Sequence, residues 1–339
     1  MRVALFTAAD VRRHGYTVGL AAGLRRLGHE VDIAELPGAR PLADQAARAA
    51  AHAAWNALPP EALPVIDGIA LPAFAPLADA LESRGAAGLI HHPTALGPAG
   101  PAAREALIAT ERALLPRLRR IVVTGEDTAK RLAAEFGVAA DRIAVIPPGT
   151  TDAPRSAGSG GPGCAILSVG ALVPRKGHDT LLRALARLFD LDWRLTIAGE
   201  AGRDPDHARG LAALAEELGI AGRVAFVPDA DDPTLAALWD RADVFALATR
   251  WEAHGAAAAE ALRRGLPVAV ASGGDAAAPV TPETGIVAPP GDVEQFSKAL
   301  RRLLFDEALR REMAEAAWQA GQRLPGWDAR AEAFAHALR

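Results

Sequence analysis

Short apolar runs alternate with longer amphipathic stretches along almost the whole chain. An apolar run at residues 2–7 (RVALFT) precedes a helical stretch from about Gly15 to Leu27, and a second apolar run begins after Gly28. A strand, a helix and a strand in this order form a βαβ unit with parallel strands. The rhythm continues to about residue 150 and restarts at AILSVG (165–170). The pattern therefore predicts an α/β fold made of two successive series of strands and helices.

Between the two series the periodicity disappears. Residues 147–163 (PPGTTDAPRSAGSGGPG) consist mostly of Pro, Gly and Ser, the composition of a linker. We therefore predict a first domain at 1–150, a flexible linker at 151–163, a second domain at 164–325, and a last helix at 326–339 that packs back on the first domain. The G-x-G-x-x-G pattern inside the linker follows a loop and precedes a strand, so it does not indicate a dinucleotide site.

Composition narrows the class of protein. The chain has 339 residues, a formal net charge of −4 and one cysteine, Cys164. This charge argues against a general nucleic-acid-binding protein, and a lone cysteine in an apolar run is typical of a buried thiol in a reducing compartment. No apolar run is long enough to span a membrane. We expect a cytoplasmic protein. The arginines within residues 104–120 form a solvated face or, alternatively, a peripheral contact with anionic lipids.

The stretch from Thr249 to Val268 (TRWEAHGAAAAEALRRGLPV) carries the most informative chemistry. Gly255 opens an alanine-rich helix, whose first N–H groups and positive dipole end favour phosphate, and glycine lets a ligand approach closely. Glu260 lies about 7.5 Å further along the helix axis, a distance that suits the ribose of a nucleotide. Glu252 precedes the helix, where it would face the group attached to the distal phosphate. The stretch predicts a site for a nucleoside-diphosphate sugar.

The spacing Glu252-x7-Glu260, followed by Gly265-Leu266-Pro267-Val268, resembles the E-x7-E signature of family 4 retaining glycosyltransferases. This resemblance implies the GT-B fold, in which two Rossmann-like domains face an interdomain cleft. It also implies transfer of a hexose-type sugar from a UDP or GDP donor to an acceptor hydroxyl with retained anomeric configuration. The acceptor, whether glycan, glycolipid or small molecule, stays open.

A second part of the resemblance is Gly170-x4-Arg175-Lys176-Gly177, a loop that grips the donor diphosphate in the family. Many members also carry arginine where this chain has Ala171. The family further implies a histidine that contacts the transferred sugar. Both His91 and His92 follow the strand AGLI, and His92 is slightly preferred. The remaining donor-binding candidates are Gly15, Gly199, Phe226, Val227, Pro228, His254 and Ala256.

Three D-x-D pairs, at 190–192, 204–206 and 229–231, match the metal signature of the other main glycosyltransferase fold. They lie in loops and a turn of a two-domain chain, so we predict no catalytic metal and no cofactor. Two alternatives to a transferase remain. One is a nucleotide-sugar epimerase or hydrolase of the same fold, and the other is a non-catalytic nucleotide-sugar-binding module.

Overall fold

The chain divides into two compact units in a computed structural model that describes residues 1–8, 15–97, 100–161 and 163–339. The first unit comprises Met1–Gly149 and Pro325–Arg339, and the second comprises Thr150–Leu324. Each unit contains its own sheet and its own hydrophobic core.

The first unit alternates strands and helices. Its strands are β1 Arg2–Ala8, β2 Glu30–Leu36, β3 Ala62–Asp67, β4 Ala87–Ile90, β5 Arg120–Val123 and β6 Ile143–Val145. Its helices are α1 Gly15–Arg26, α2 Gln45–Asn56, α3 Ala78–Ser83, α4 Pro101–Leu114, α5 Glu126–Phe136 and the C-terminal α12 Trp327–Ala337, with 3-10 turns at Leu71–Leu77, Thr94–Leu96, Leu115–Arg117 and Ala140–Arg142. Within the described residues the sheet has the order β2-β1-β3-β4-β5-β6, and its paired strands are parallel. The inner strands are apolar along their length because helices cover both faces.

Strand β3 lies earlier in the chain than the run VIDGIAL (65–71) predicts. It starts at Ala62 and contains Pro64, a residue that usually argues against a central strand. Pairing with β4 begins only at Val65, one residue after the proline. The missing N–H of Pro64 therefore interrupts no ladder with β4, while on its other side Pro64 is in register with Ala4 of β1.

Helix α12 packs against α1. A methyl group added to Gly19 would collide with the Trp327 ring, and one added to Gly23 would press on Trp327 and Ala331. Small residues on α1 thus let the two helices approach closely, and Phe334 of α12 joins the core between them and the sheet.

The second unit repeats the pattern. Its strands are β7 Cys164–Val169, β8 Trp193–Gly199, β9 Val224–Pro228, β10 Val244–Leu247, β11 Val268–Ala271 and β12 Gly285–Ala288. Its helices are α6 His178–Ala186, α7 Pro205–Glu217, α8 Asp232–Asp240, α9 Ala256–Arg263, α10 Val293–Phe305 and α11 Glu307–Arg323, with 3-10 turns at Pro174–Lys176 and Ala221–Arg223. Among the described residues the strand order is β12-β11-β10-β7-β8-β9, again parallel.

Within the predicted linker at 151–163, residues 155–159 pack against the second unit. The Ser156 N–H donates to the carbonyl of Arg264 at the end of α9, and the N–H of Ala157 donates to that of Asp240 at the end of α8. Helix ends leave carbonyls without intrahelical partners, and this segment supplies donors to two of them. Its Gly and Ser content therefore reflects tight turns and caps, and Pro162 lies outside the described residues.

Candidate functional site

The carboxyl edge of the second sheet gathers the loops that follow β7 (170–177), β10 (248–255) and β11 (272–279). In open parallel α/β sheets this edge is where ligands bind. These loops contain most of the residues singled out in the sequence, including the basic pair and Glu252.

The basic loop is anchored to the end of β10. Gly177 has a φ of 66°, and a methyl group there would collide with the carbonyl of Ala248, so only glycine fits. The Arg250 N–H donates to the carbonyl of Arg175 at 2.8 Å, and the Thr249 hydroxyl lies 3.0 Å from the same oxygen. Two hydrogen bonds from Arg250 to the Asp179 carboxylate, at 3.0 and 2.7 Å, add a second tie. The loop is therefore held in place before any ligand arrives.

The stem of Lys176 lies across the backbone at the end of β7. A Cβ on Gly170 would sit 3.0 Å from the Cδ and Cε of Lys176, and a Cβ on Gly199 would collide with the carbonyl of Gly170. The two glycines thus make room for the lysine stem and for the neighbouring strand end. This gives Gly199, predicted as a donor-binding residue, a packing role against Gly170.

Three predicted residues meet in one ion cluster. The Glu252 carboxylate lies 2.6 Å from the Lys176 ammonium and 3.0 Å from the Arg175 guanidinium. The Thr249 hydroxyl completes the set, 3.2 Å from Oε1 of Glu252. Burial alone would raise the pKa of Glu252, but the charges of Lys176 and Arg175 outweigh it and hold the pKa below its ordinary value. The Glu252 carboxylate is therefore ionised at neutral pH.

Gly255 is the N-cap at the entrance of α9, and a Cβ there would collide with Pro279 and press on the carbonyl of Ala276. The glycine therefore accommodates the chain's own segment 276–279, and its contact with a donor stays a prediction. Next to it, the N–H of Ala256 donates to Nδ1 of His254 at 3.3 Å, so His254 caps the helix.

Glu260 lies one turn into α9 with its carboxylate accessible. Its side chain is 49% exposed and pairs with Arg264 at 3.2 Å. The Arg264 guanidinium in turn stacks over Trp239, 4.8 Å from the ring centre. The carboxylate is held in one direction yet stays open to a ligand.

Three of the predicted donor-binding residues lie on β9, an edge strand of the described sheet. Phe226, Val227 and Pro228 end β9, and Phe226 and Val227 are half-buried. The next residue, Asp229, has a φ of 51°, a left-handed conformation that few side chains adopt, and its N–H donates to the carbonyl of Gly199. The strained turn ties the end of β9 to the end of β8.

In the first unit, His91 and His92 lie in different surroundings from each other. His91 follows β4 with its ring edge-on to Tyr16 and its Nε2 3.9 Å from the buried carboxylate of Asp67. His92 is exposed. Gly15 begins α1, and among the described residues nothing lies within 4 Å of where its Cβ would be. Residues 9–14, which precede it, lie outside the described residues.

Glu111 of α4 is a buried residue that sequence reasoning missed. Its carboxylate accepts hydrogen bonds from the N–H and hydroxyl of Thr94, at 2.6 and 2.8 Å, and from the N–H of Ala95. Burial raises its pKa despite these bonds. It holds the turn that follows His91 and His92. A glutamate on an arginine-rich amphipathic helix is usually exposed, so the sequence carries no signal for this role.

His178, also missed, opens α6 directly after the basic loop. It is 1% exposed, and its Nε2 lies 3.3 Å from the carbonyl of Gly170. Burial lowers its pKa from 6.5 to about 4. The one available signal is its position beside Arg175, Lys176 and Gly177.

This histidine makes stability depend on pH. Between pH 6.5 and 4 the unfolded chain binds a proton that the folded chain does not, so the free energy of unfolding falls as the pH falls through this window. From pH 7 to 5 we expect His178 to cost about 2 kcal/mol. Urea unfolding of the wild type and of His178→Asn at both pH values gives, for each protein, the change in the free energy of unfolding between the two pH values. The difference between these two changes measures the contribution of His178. Equal changes would show that His178 is protonated in the folded chain.

The acidic pairs that match D-x-D serve other purposes. Asp204 and Asp231 cap α7 and α8, and Asp190 pairs with Arg301. Over residues 1–8, 15–97, 100–161 and 163–339, no three His, Cys, Asp or Glu side chains come together as metal ligands.

The arginine-rich segment around α4 is largely engaged within the first unit. Arg112 and Arg120 donate to backbone carbonyls at 2.9 and 2.6 Å, Arg117 pairs with Asp79 at 2.5 Å, and Arg119 donates to the carbonyl of Leu338. None of the helices that the structure describes is both long and apolar enough to cross a bilayer.

Comparisons with solved structures concern the whole chain. Sucrose-phosphate synthase from Thermosynechococcus elongatus superposes with a TM-score of 0.81 over 99% of this chain and 98% of its own, at 21% identity. The Anabaena protein HepE, in complex with UDP-glucose, gives a TM-score of 0.80 over 100% and 99%, at 16% identity. At these identities the likeness concerns the fold. The predicted α/β fold of the GT-B class, with two Rossmann-like domains, is confirmed.

Comparisons of sequence cover part of the chain. A D-inositol 3-phosphate glycosyltransferase of Thermomonospora curvata is 32% identical over 234 residues, which cover 62% of this chain and 54% of the relative. That of Mycobacterium avium is 33% identical over 206 residues, covering 57% and 48%. The chain thus spans about half the length of the curated relatives it matches. The family model described as Glycosyl transferases group 1 matches residues 153–320, all of which lie in the second unit.

Proposed function

We propose that this chain is a retaining glycosyltransferase of the E-x7-E type, which moves a sugar from a nucleoside diphosphate to an acceptor hydroxyl without a metal. The observation that carries the proposal is the ion cluster of Lys176, Arg175 and Glu252 beside the first turn of α9. Such a cluster offers two cations to a diphosphate and one carboxylate to sugar hydroxyls. The match of the glycosyltransferase family model to residues 153–320, a range that contains these three residues, supports it.

The two cations address the main barrier of the reaction. The bond from the acceptor oxygen to C1 of the sugar forms while the bond from C1 to the diphosphate oxygen breaks, and the electron pair leaves with the diphosphate. The acceptor proton passes to a phosphate oxygen of the donor on the same face of the sugar. Lys176 and Arg175, with the N–H groups that begin α9, stabilise the charge that builds on the diphosphate.

Under this mechanism Glu252 exchanges its cationic partners for sugar hydroxyls when the donor binds. Without donor, it neutralises Lys176 and Arg175 at 2.6 and 3.0 Å. When the diphosphate takes over both cations, the carboxylate becomes available to sugar hydroxyls. The donor thus replaces an existing ion pair, so both cations stay oriented throughout.

A purified-protein assay tests the proposal. UDP and GDP sugars are supplied with and without acceptors, and D-inositol 3-phosphate is the first acceptor to try because the similar curated proteins carry that name. We expect sugar transfer only when donor and acceptor are both present. Conversion of donor alone would show an epimerase or hydrolase, and nucleotide binding without turnover across the panel would show a binding module.

Glu260 is expected to bind the ribose. Replacing Glu260 by alanine should weaken nucleotide binding by about 1.5–3 kcal/mol, the usual worth of a hydrogen bond to a charged group. Isothermal titration calorimetry with the preferred nucleotide measures it. Glu217→Ala, at an exposed position on α7, is the matched control and should bind as the wild type does. Unchanged affinity in Glu260→Ala would remove this residue from the site.

A further inference from the structure

Two phenylalanines of the second unit project into solvent. Phe189, after α6, is 81% exposed, and Phe305, at the end of α10, is 74% exposed. The other exposed large apolar side chains in the described part of the chain are at most 45% exposed. Exposing two rings to this degree forgoes the free energy of burying them, so a partner surface is indicated.

The two rings belong to one surface. Asp190, next to Phe189, pairs with Arg301 at 2.6 Å, and Phe305 follows Arg301 by four residues, on the same face of α10. Helices α6 and α10 also share one core cluster. We call Phe189 and Phe305 with the exposed arginines beside them the aromatic patch.

The patch carries surplus positive charge. The arginines are Arg183 on α6, Arg187 at the C-cap of α6, and Arg302 on α10. All three are exposed, and within the described ranges none lies at ion-pair distance from an acid. Of the acids nearby, Asp190, Glu294 and Glu307 pair with Arg301, Lys298 and Arg311, and Asp306 caps α11. The three arginines therefore outnumber the acids that have no basic partner.

The patch lies far from the candidate site within the same unit. Helices that connect parallel strands run back along the sheet, so the ends of α6 and α10 lie at the amino edge. The ion cluster of Lys176 and Glu252 lies at the carboxyl edge. A surface bound at the patch would leave the loops of the site uncovered.

From this arrangement we propose that the aromatic patch docks on an anionic lipid surface. Two rings bury roughly 300–500 Å² at most, well below the 1,200–2,000 Å² of a stable protein interface. Two rings can instead enter the boundary between headgroups and acyl chains, while unpaired arginines bind lipid phosphates. Around α4, Arg112, Arg117 and Arg120 donate to carbonyls and acids of their own unit, which leaves less charge unpaired there.

Co-sedimentation with vesicles tests the proposal on the full chain. We expect binding to phosphatidylcholine vesicles that contain phosphatidylglycerol and none to phosphatidylcholine alone. Phe189→Ser with Phe305→Ser should lower the partition coefficient by about tenfold or more. Leu42→Ser, at an exposed apolar position of the first unit, is the control and should bind normally. Wild-type binding by the double variant would overturn the proposal, as would a failure of the wild type to bind anionic vesicles.

A fluorescent probe gives a second measurement. The native thiol, Cys164, is 4% exposed and burial raises its pKa to about 12, so a new surface cysteine can be labelled selectively. An environment-sensitive dye on Phe189→Cys or Phe305→Cys should brighten with anionic vesicles, while the same dye on Leu42→Cys should not. Equal responses at all three positions would contradict docking through the patch. Concentration-dependent brightening without vesicles would assign the patch to contact between copies of the chain.

Discussion

Replacing Lys176 by alanine is expected to lower kcat by about 10²- to 10³-fold, the usual effect of removing one group that stabilises a developing anion. The ammonium lies 2.6 Å from Glu252 at the carboxyl edge of the second sheet, and Gly177 and Arg250 hold its loop in place. A group that acts on the leaving diphosphate contributes most in the transition state. Binding of the free nucleoside should therefore change much less than turnover. Steady-state kinetics and calorimetry on the same preparation measure both.

Lys298→Ala is the matched control for this experiment. Lys298 is exposed and pairs with Glu294 on α10, away from the carboxyl edge, so its loss should leave kcat unchanged. A Lys176→Ala enzyme that turns over normally but no longer binds nucleoside would contradict the leaving-group role. The melting temperature of each variant separates this effect from a loss of folding.

Replacing Glu252 by glutamine is expected to destabilise the second unit by about 3 kcal/mol. The amide keeps the shape but leaves Lys176 and Arg175 without their counter-charge, and breaking a buried pair exposes the cost of the charge that remains. Because Arg175 is 43% exposed, most of this cost falls on Lys176. Urea unfolding measures the loss. Glu294→Gln, which breaks the exposed pair with Lys298, should cost less than about 1 kcal/mol.

Glu252→Gln also distinguishes two roles of Glu252: neutralising Lys176 and Arg175, and binding sugar hydroxyls. A nucleoside diphosphate supplies the negative charge that Glu252→Gln lacks, so it should raise the melting temperature of this variant more than that of the wild type. Turnover should nevertheless fall, because the amide binds sugar hydroxyls less well than the carboxylate does. A nucleotide that stabilises both proteins equally would show that the phosphates do not replace Glu252 at the cations.

Much of the fold follows from local patterns. Apolar runs locate strands such as β1 and β7, and the helical stretch predicted from Gly15 to Leu27 locates α1 within one residue. The departures have a common cause. Pro64 and the segment 155–159 have compositions typical of irregular chain, and their places depend on which N–H and carbonyl groups lie beside them in the folded protein. Composition does not contain that information.

The candidate site, like the fold, is predicted only in part by the sequence. The sequence places Arg175 and Lys176 after β7 and Glu252 after β10, and the resemblance to family 4 glycosyltransferases predicts that all three face one donor. The strand order puts β7 beside β10, so the three residues meet at one edge of the sheet. The sequence does not reveal that Glu252 already neutralises both cations, since that depends on side-chain directions. Nor does it reveal the role of Glu111. Its helix has the pattern of a solvent-exposed helix, yet the Glu111 carboxylate binds the turn at Thr94.

Gly255 affects how a mutational scan of this region should be interpreted. Any side chain there has to displace Pro279 and the carbonyl of Ala276, so Gly255→Ala would rearrange the neighbouring loop whether or not a ligand comes near. Inactivity of that variant would thus report a folding defect and would be silent about substrate contact. Substitutions at Lys176 and Glu260 are the informative probes of chemistry. The ammonium of Lys176 pairs with a carboxylate that a ligand can replace, and the carboxylate of Glu260 is open to solvent.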